Sequence, residues 1–164
     1  MVKCVSILGS TGSIGRQSLD VIKRMPDIRV AALTAGSSVE RMAQQCREFR
    51  PRLAVMATEE AAKALKRELS DLSIEIMYGE EGLIAAATVP EADCVITAVV
   101  GMVGLKPTLA AIRERKRIGL ANKETLVCAP FFCLGHDDFA GTDQGLFIGK
   151  ADALSCPDGC QCGL

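Results

Sequence analysis

Lys3-Cys-Val-Ser-Ile-Leu-Gly-Ser-Thr-Gly-Ser-Ile-Gly15 is the stretch on which the fold turns. Residues 3–8 are a short, mostly apolar run that stops at Gly9, the pattern of a buried strand. The glycines at 9, 12 and 15 follow as G-x-x-G-x-x-G. A helix is expected from Ser13 or Ile14, with Ile14, Ser18, Val21 and Ile22 on its inner face, ending at Pro26 and Asp27. A glycine-rich turn between a strand and a helix is the context a dinucleotide fingerprint requires. Gly9 allows a tight exit from the strand, Gly12 lets a pyrophosphate approach the backbone, and Gly15 lets the helix lie close. The N–H groups of Thr11, Gly12, Ser13 and Ile14 are expected to face phosphate, assisted by the helix dipole. Ser10, Thr11 and Ser13 can add hydroxyl donors. The plainer alternative is a loop that only turns the chain, and the elements on either side weigh against it.

The pattern continues outward. Strands are predicted at residues 29–33, 53–56, 74–78, 94–100 and 118–121. Helices are predicted between them. One carries Val39, Met42, Ala43, Cys46 and Phe49 on one face and stops at Pro51. Another covers 59–69 with Ala62, Leu65 and Leu69 inward. Two more cover 80–87 and 105–115. Regular alternation of strand and helix argues for an α/β fold of the Rossmann type, a doubly wound parallel sheet with helices on both faces. Residues 1–129 form this expected domain.

The second strand ends in Leu33-Thr-Ala-Gly-Ser-Ser38, and no acid occurs before Glu40. An acid at that place holds the ribose 2′-hydroxyl of NAD and repels a 2′-phosphate. Its absence favours NADPH, with donors on Gly36, Ser37 and Ser38 and with Arg41 one turn on. Ser37 or Ser38 also suits a helix cap, and the two roles are compatible.

Asn122-Lys123-Glu124 follows the last predicted strand, at the carboxyl end where α/β sheets collect ligands. Lys123 suits a phosphate and Asn122 a ribose or nicotinamide. Glu124 also suits a helix N-terminus, and Lys123 taken alone is more often a solvated surface charge. Gly9-Ser-Thr-Gly-Ser-Ile-Gly15, Leu33-Thr-Ala-Gly36, Pro107-Thr-Leu-Ala-Ala-Ile112 and Leu120-Ala-Asn-Lys-Glu-Thr-Leu-Val127 together resemble 1-deoxy-D-xylulose 5-phosphate reductoisomerases, in order and close to their spacing. The resemblance covers residues 1 to about 129.

It implies an NADPH-dependent oxidoreductase and isomerase of non-mevalonate isoprenoid biosynthesis. That family turns 1-deoxy-D-xylulose 5-phosphate into 2-C-methyl-D-erythritol 4-phosphate with Mg or Mn. By position it assigns NADPH contacts to Thr11, Gly12, Ser13, Ile14, Gly36, Ser37, Ser38, Asn122 and Glu124, and a substrate contact to Lys123. It implies a phosphorylated sugar as substrate and a homodimer. The family often has a basic residue and an asparagine where Ser37 and Ser38 stand.

The family's Asp-Ser-Glu-His metal motif has no counterpart in the sequence. Asp137-Asp138 has no glutamate after it, none occurs beyond Glu124, and His136 is the single histidine. No catalytic or metal-ligating residue is therefore assigned, and this chain alone is expected to be inactive. Residues 130–164 are rich in Cys and Gly, and are expected not to be native family sequence. A reading-frame change, a truncated gene model or an assembly error would produce such a change of character. A zinc site on Cys156, Cys160 and Cys162, with Cys133 or His136, is the weaker alternative, since the spacing contains no C-x2-C pair. One short strand is expected there, at 146–148. The strand at 118–121 would then be an open edge, inviting association and marginal solubility.

With 164 residues, 49% hydrophobic and 24% charged, the chain is ordinary for one globular domain. A net charge of −1 gives no attraction for nucleic acid or anionic lipid. The longest apolar run, 95–103, is broken by Thr97 and Gly101 and falls short of the ~20 residues that span a bilayer. No signal peptide is apparent at the N-terminus, so a cytoplasmic location is expected. Cys4, Cys46, Cys94 and Cys128 lie in apolar segments and suit reduced, buried thiols. Two further readings remain: another small NADP-linked dehydrogenase, against which the Asn122 block argues, and a non-catalytic NADP-binding module.

Overall fold

The computed structural model describes residues 3–99, 101–120, 140–141 and 147–150. The strands are β1 (Cys4–Leu8), β2 (Arg29–Ala35), β3 (Leu53–Met56), β4 (Glu75–Tyr78), β5 (Cys94–Thr97), β6 (Arg117–Leu120), β7 (Ala140–Gly141) and β8 (Phe147–Lys150). The helices between them are α1 (Ser13–Ile22), α2 (Val39–Phe49), α3 (Glu59–Glu68), α4 (Gly79–Thr88) and α5 (Leu105–Arg113). A short 3-10 turn, Gly101–Gly104, precedes α5, where the hydropathy pattern marks no element.

The sheet order is β4-β3-β2-β1-β5-β6-β8-β7. The first six strands pair in parallel. The chain steps outward from β1 to β4, then returns to place β5 on the other side of β1. The carboxyl ends of β1 and β5 therefore flank the topological switch point, where open α/β sheets bind ligands.

Two apolar layers sandwich the sheet, because inward positions of the central strands are apolar on both faces. One layer joins Val5, Ile7 and Leu33 to Leu19 of α1, Met42 and Cys46 of α2, and Leu65 of α3. The other joins Leu8, Ala32, Val55 and Val95 to Ala86 and Ala87 of α4 and Ala111 of α5. Helix ends follow local chemistry. Thr58 Oγ1 accepts the Ala61 N–H at 3.3 Å to open α3, with acids in its first turn and bases in its last. Before Pro51, α2 closes on Arg50, which adopts φ 46°.

Four expectations are corrected. The inner face of α1 is Gly15, Leu19 and Ile22, whereas Ile14 and Val21 are 39% and 57% exposed. Ile14 and Val21 share a helical face, but it turns away from the sheet because Gly15 must lie on the loop. Nor is β6 an open edge: β8 pairs with it antiparallel, Leu120 opposite Phe147. The tail strand falls at Phe147–Lys150 rather than 146–148, and β5 ends at Thr97 rather than at residue 100.

Burial pushes the Cys46 thiol up to about 12 and the Cys94 thiol up to about 11. Both are free and act as small apolar side chains, as expected. Cys4 is also a free thiol. Cys128 and the tail cysteines lie outside the described residues. No described helix is long and apolar enough to cross a membrane.

Ser6 Oγ, in the middle of β1, is a buried side-chain oxygen without a hydrogen-bond partner among the described residues. An unsatisfied buried hydroxyl costs stability. Ser6→Ala should therefore stabilise the fold by about 1 kcal/mol in urea unfolding; a loss of stability would contradict this. At the entry to β1, Asp93 accepts the N–H groups of Lys3 (2.9 Å) and Cys4 (3.0 Å). The Lys3 N–H, then that of Cys4, holds its carboxyl below the ordinary carboxylate range, against an opposing effect of burial. A depressed native value contributes stability above the unfolded-state pKa that is lost as pH falls through the native one. Asp93→Asn should thus be less stable than the parent at pH 7, with the gap closing below about pH 4. Unfolding curves across that range check it.

Candidate functional site

The loop between β1 and α1 occupies the switch point. Gly9 adopts φ +86°, and a Cβ there would lie 2.8 Å from the Ala98 carbonyl oxygen. No L side chain suits that backbone in that space. A Cβ on Gly15 would lie 2.3 Å from Gly9 O, so α1 rests directly on the loop it follows. Gly12 is extended and exposed, leaving its outer side open to a ligand.

The N-terminus of α1 has no side-chain cap and no acid in its first turn. The N–H groups of Thr11, Ser13 and Ile14 have no carbonyl partner among the described residues; the first helical bond runs from Arg16 N–H to Gly12 O at 3.0 Å. Unpaired helix N–H groups at a positive dipole end form an anion site. Gly12 departs from the expectation, because its N–H donates to Gly9 O at 3.2 Å. It shapes the turn rather than offering a free donor.

Ser10 departs further. It is fully buried and is no phosphate donor. Its N–H donates to Thr34 O at 2.8 Å. Its Oγ lies 2.7 Å from Gln45 Oε1 and 3.2 Å from Thr34 O. A hydroxyl has one proton, so the shorter contact takes it. Gln45 Nε2 returns a bond to Ser10 O at 2.9 Å, and Thr34 Oγ1 accepts the Gly9 N–H at 2.9 Å. The glycine loop is thereby pinned to β2 and α2. Thr34 and Gln45 carry no functional reading in the sequence. The available signal is a polar residue, Gln45, at the border of the apolar face containing Met42 and Cys46.

Beyond β2, Gly36, Ser37 and Ser38 are exposed, as a ligand surface requires. Ser38 takes the N-cap position of α2 without a side-chain cap bond. The capping alternative is therefore not realised, and its hydroxyl is uncommitted to the helix. Ser37, Ser38, Val39, Glu40 and Arg41 line a cavity of about 340 Å³. Arg41 Nη1 reaches back to Thr11 O at 3.5 Å, joining this cavity to the loop. On the β5 side, the turn Gly101–Gly104 exposes Met102 and Val103. It is tied down from within, where Thr108 Oγ1 donates to Gly104 O at 2.6 Å and lies 3.3 Å from Thr97 Oγ1.

A second cavity, about 480 Å³, opens at the amino ends of β5 and β6 between Asp93, Arg115 and Lys116. Its size does not make it the site. Lys116 Nζ is already bonded to the carbonyls of Val89 and Ala92, and it lies at the end of the sheet opposite the switch point. Asn122, Lys123 and Glu124 lie outside the described residues, as do His136, Asp137 and Asp138. Among the described residues no group of three His, Cys, Asp or Glu side chains is placed to hold a metal ion.

The model of the 1-deoxy-D-xylulose 5-phosphate reductoisomerase family matches residues 5–130. The reductoisomerase of Lachnospira eligens is 56% identical over 128 residues, covering 78% of this chain and 34% of that protein. The solved reductoisomerase of Zymomonas mobilis in complex with NADPH superposes with a TM-score of 0.76 at 40% identity, over 80% of this chain and 35% of that one. A second solved reductoisomerase, in complex with magnesium, gives 0.75 at 39% identity, over 79% and 33%. The chain spans about a third of the length of the curated relatives it matches.

Because a Cβ at position 15 would strike loop backbone rather than a movable side chain, Gly15→Ala should cost more than about 1 kcal/mol and weaken any anion bound at the loop. Thermal melting together with a phosphate or dinucleotide titration checks both parts; an unperturbed variant would refute the close-packing role.

Proposed function

The chain belongs to the 1-deoxy-D-xylulose 5-phosphate reductoisomerase family, and we propose that it is that family's NADPH-binding part. The observation that carries this reading is the uncapped, acid-free start of α1 at the switch point, with the Ser37–Arg41 cavity beside it. The N–H groups of Thr11, Ser13 and Ile14 hold the pyrophosphate, and Gly12 allows its close approach. Gly36, Ser37 and Ser38 receive the adenosine 2′-phosphate. Arg41 offers a cation lining that cavity, and Glu40, on the same cavity, an opposing charge. Asn122 and Glu124 complete the cofactor contacts and Lys123 binds the phosphorylated substrate.

When bound, NADPH supplies the hydride that reduces the aldehyde formed in the rearrangement. This chain's own residues bind and orient it. As part of a longer protein of this family, we propose, the chain serves the conversion of 1-deoxy-D-xylulose 5-phosphate to 2-C-methyl-D-erythritol 4-phosphate, in the cytoplasm and as a homodimer. Among the described residues no three His, Cys, Asp or Glu side chains are placed to hold the divalent metal of that reaction. The family match ends at residue 130, which supports residues 1–129 as the nucleotide domain and 130–164 as a segment outside it. That segment nevertheless contributes β7 and β8 to the sheet. Positioning metal, substrate and nicotinamide together accounts for much of such a catalyst's rate; without a metal-binding set among the described residues, the expected behaviour of these 164 residues alone is NADPH binding without turnover.

Fluorescence titration of the purified chain should show NADPH binding at least about tenfold tighter than NADH, as a charge-assisted 2′-phosphate contact implies. Equal affinities would remove the NADPH assignment. With substrate and Mg²⁺ or Mn²⁺ added, NADPH absorbance should stay constant; steady consumption would show that this chain is catalytically complete.

A further inference from the structure

Gln45 is 8% exposed, in the C-terminal half of α2. Both ends of its amide bond one residue of the glycine loop: Oε1 takes the Ser10 hydroxyl at 2.7 Å and Nε2 donates to Ser10 O at 2.9 Å. It does not act alone. Met42 Sδ lies 3.7 Å from Ser10 Oγ, and Arg41 Nη1 lies 3.5 Å from Thr11 O. Residues 41, 42 and 45 share one helical face, so a single face of α2 grips residues 10 and 11.

The same helix carries the other half of the site at its start. Ser37 and Ser38 lie just before α2, and Val39, Glu40 and Arg41 are its first residues. Ser38 and Gln45 are seven residues apart, about 10 Å along the axis at 1.5 Å per residue. A helix of that length behaves as a rigid strut, so where Gln45 is held on the loop decides where the cavity sits. The two anion-receiving regions are spaced by a part rather than by solvent.

We propose that Gln45 is a positioning residue: by clasping Ser10 it sets the distance between the pyrophosphate loop and the Ser37–Arg41 cavity, and so sets the preference for NADPH over NADH. The inference rests on the nucleotide reading above. NADH engages the loop but has no 2′-phosphate, so it is indifferent to where the cavity lies. NADPH must satisfy both at once. A shift of α2 against the loop therefore costs NADPH more than NADH. A side chain that only supported the fold would change melting temperature, or weaken both dinucleotides alike.

The test is the ratio of NADPH to NADH affinity in the 164-residue chain, with melting temperature measured alongside. Gln45→Met keeps length and volume but loses both bonds. Ser10→Ala keeps the bond from Nε2 to the main chain and loses the hydroxyl one. Gln45→Met should lower the ratio about tenfold, within the usual size of coupling between sites, with NADH affinity changed far less. Ser10→Ala should fall between parent and Gln45→Met. A ratio equal to the parent's in Ser10→Ala and in folded Gln45→Met overturns the proposal, as does equal weakening of both ligands. Should Gln45→Met fail to fold, Ser10→Ala decides alone: a lowered ratio supports the proposal and an unchanged one ends it. A parent chain that binds neither dinucleotide defeats the nucleotide reading and this proposal together. A discriminating parent with indifferent variants defeats this proposal only.

Discussion

The buried hydroxyl of Ser10 and the amide of Gln45 hold together what the rest of the site depends on. A glycine-rich loop has little of its own to fix it: Gly9, Gly12 and Gly15 have no side chains, and a loop of that composition loses much conformational entropy on ordering. The structure recovers order from outside the loop. Thr34 takes one N–H from Gly9 and one from Ser10, and Gln45 closes a two-bond ring on Ser10. Because these groups are buried, each bond is expensive to break, and a half-broken network costs more than none. The loop therefore holds its shape before any ligand arrives, which reduces the ordering cost of binding.

That rigidity suits how charge is handled. The cradle at the start of α1 offers main-chain N–H groups and a helix dipole rather than a cluster of lysines. Among the described side chains around the loop, Arg41 is the cation that reaches it, and it does so on a carbonyl at 3.5 Å. Main-chain donors are directional and pre-placed, so they select a phosphate geometry rather than any nearby anion. With a net charge of −1, the protein does not concentrate anions by its overall field. Recognition rests on local geometry, and so on whatever fixes that geometry.

The plan of the sheet is legible in the sequence because its signals are strong and redundant there. Apolar runs at β1, β2 and β3, the proline at 51 and the glycines at 9 and 15 all agree with one another. The loop's shape is legible for the same reason: glycines at 9 and 15 allow the tight exit from the strand and the close approach of the helix. What stays hidden depends on long-range partners. Ser10 reads as a phosphate-facing hydroxyl in a polar loop, yet its partners are Thr34 and Gln45, 24 and 35 residues away. The inner face of α1 is concealed because Ile14 and Val21 share a stripe with Ser18, and hydropathy alone ranks them far above Gly15. The direction a short helix faces is set by its closest contact, and here that contact is a glycine. The pairing of β8 with β6 is equally invisible, since register between distant strands leaves no local mark.

On the proposed reading, a site made this way divides cofactor binding from chemistry unevenly along the chain. The glycine loop, the cavity at the start of α2 and the helix that braces them lie within the first fifty residues, and on the proposed reading Asn122 and Glu124 add to them from later in the chain. Chemistry on a sugar phosphate needs further groups brought against the nicotinamide from elsewhere. The β5 side of the crevice is where those groups would have to meet the cofactor, and there the turn at Gly101–Gly104 exposes Met102 and Val103. An apolar rim beside a polar phosphate cradle favours a flat ring on one side and a charged tail on the other. The Thr97–Thr108–Gly104 contacts tie that rim down from beneath, as Ser10 and Gln45 tie down the loop. Both halves of the crevice are thus held by buried hydroxyls that link strand, loop and neighbouring helix. In this fold the sheet places the site, and the helices decide how firmly it is held.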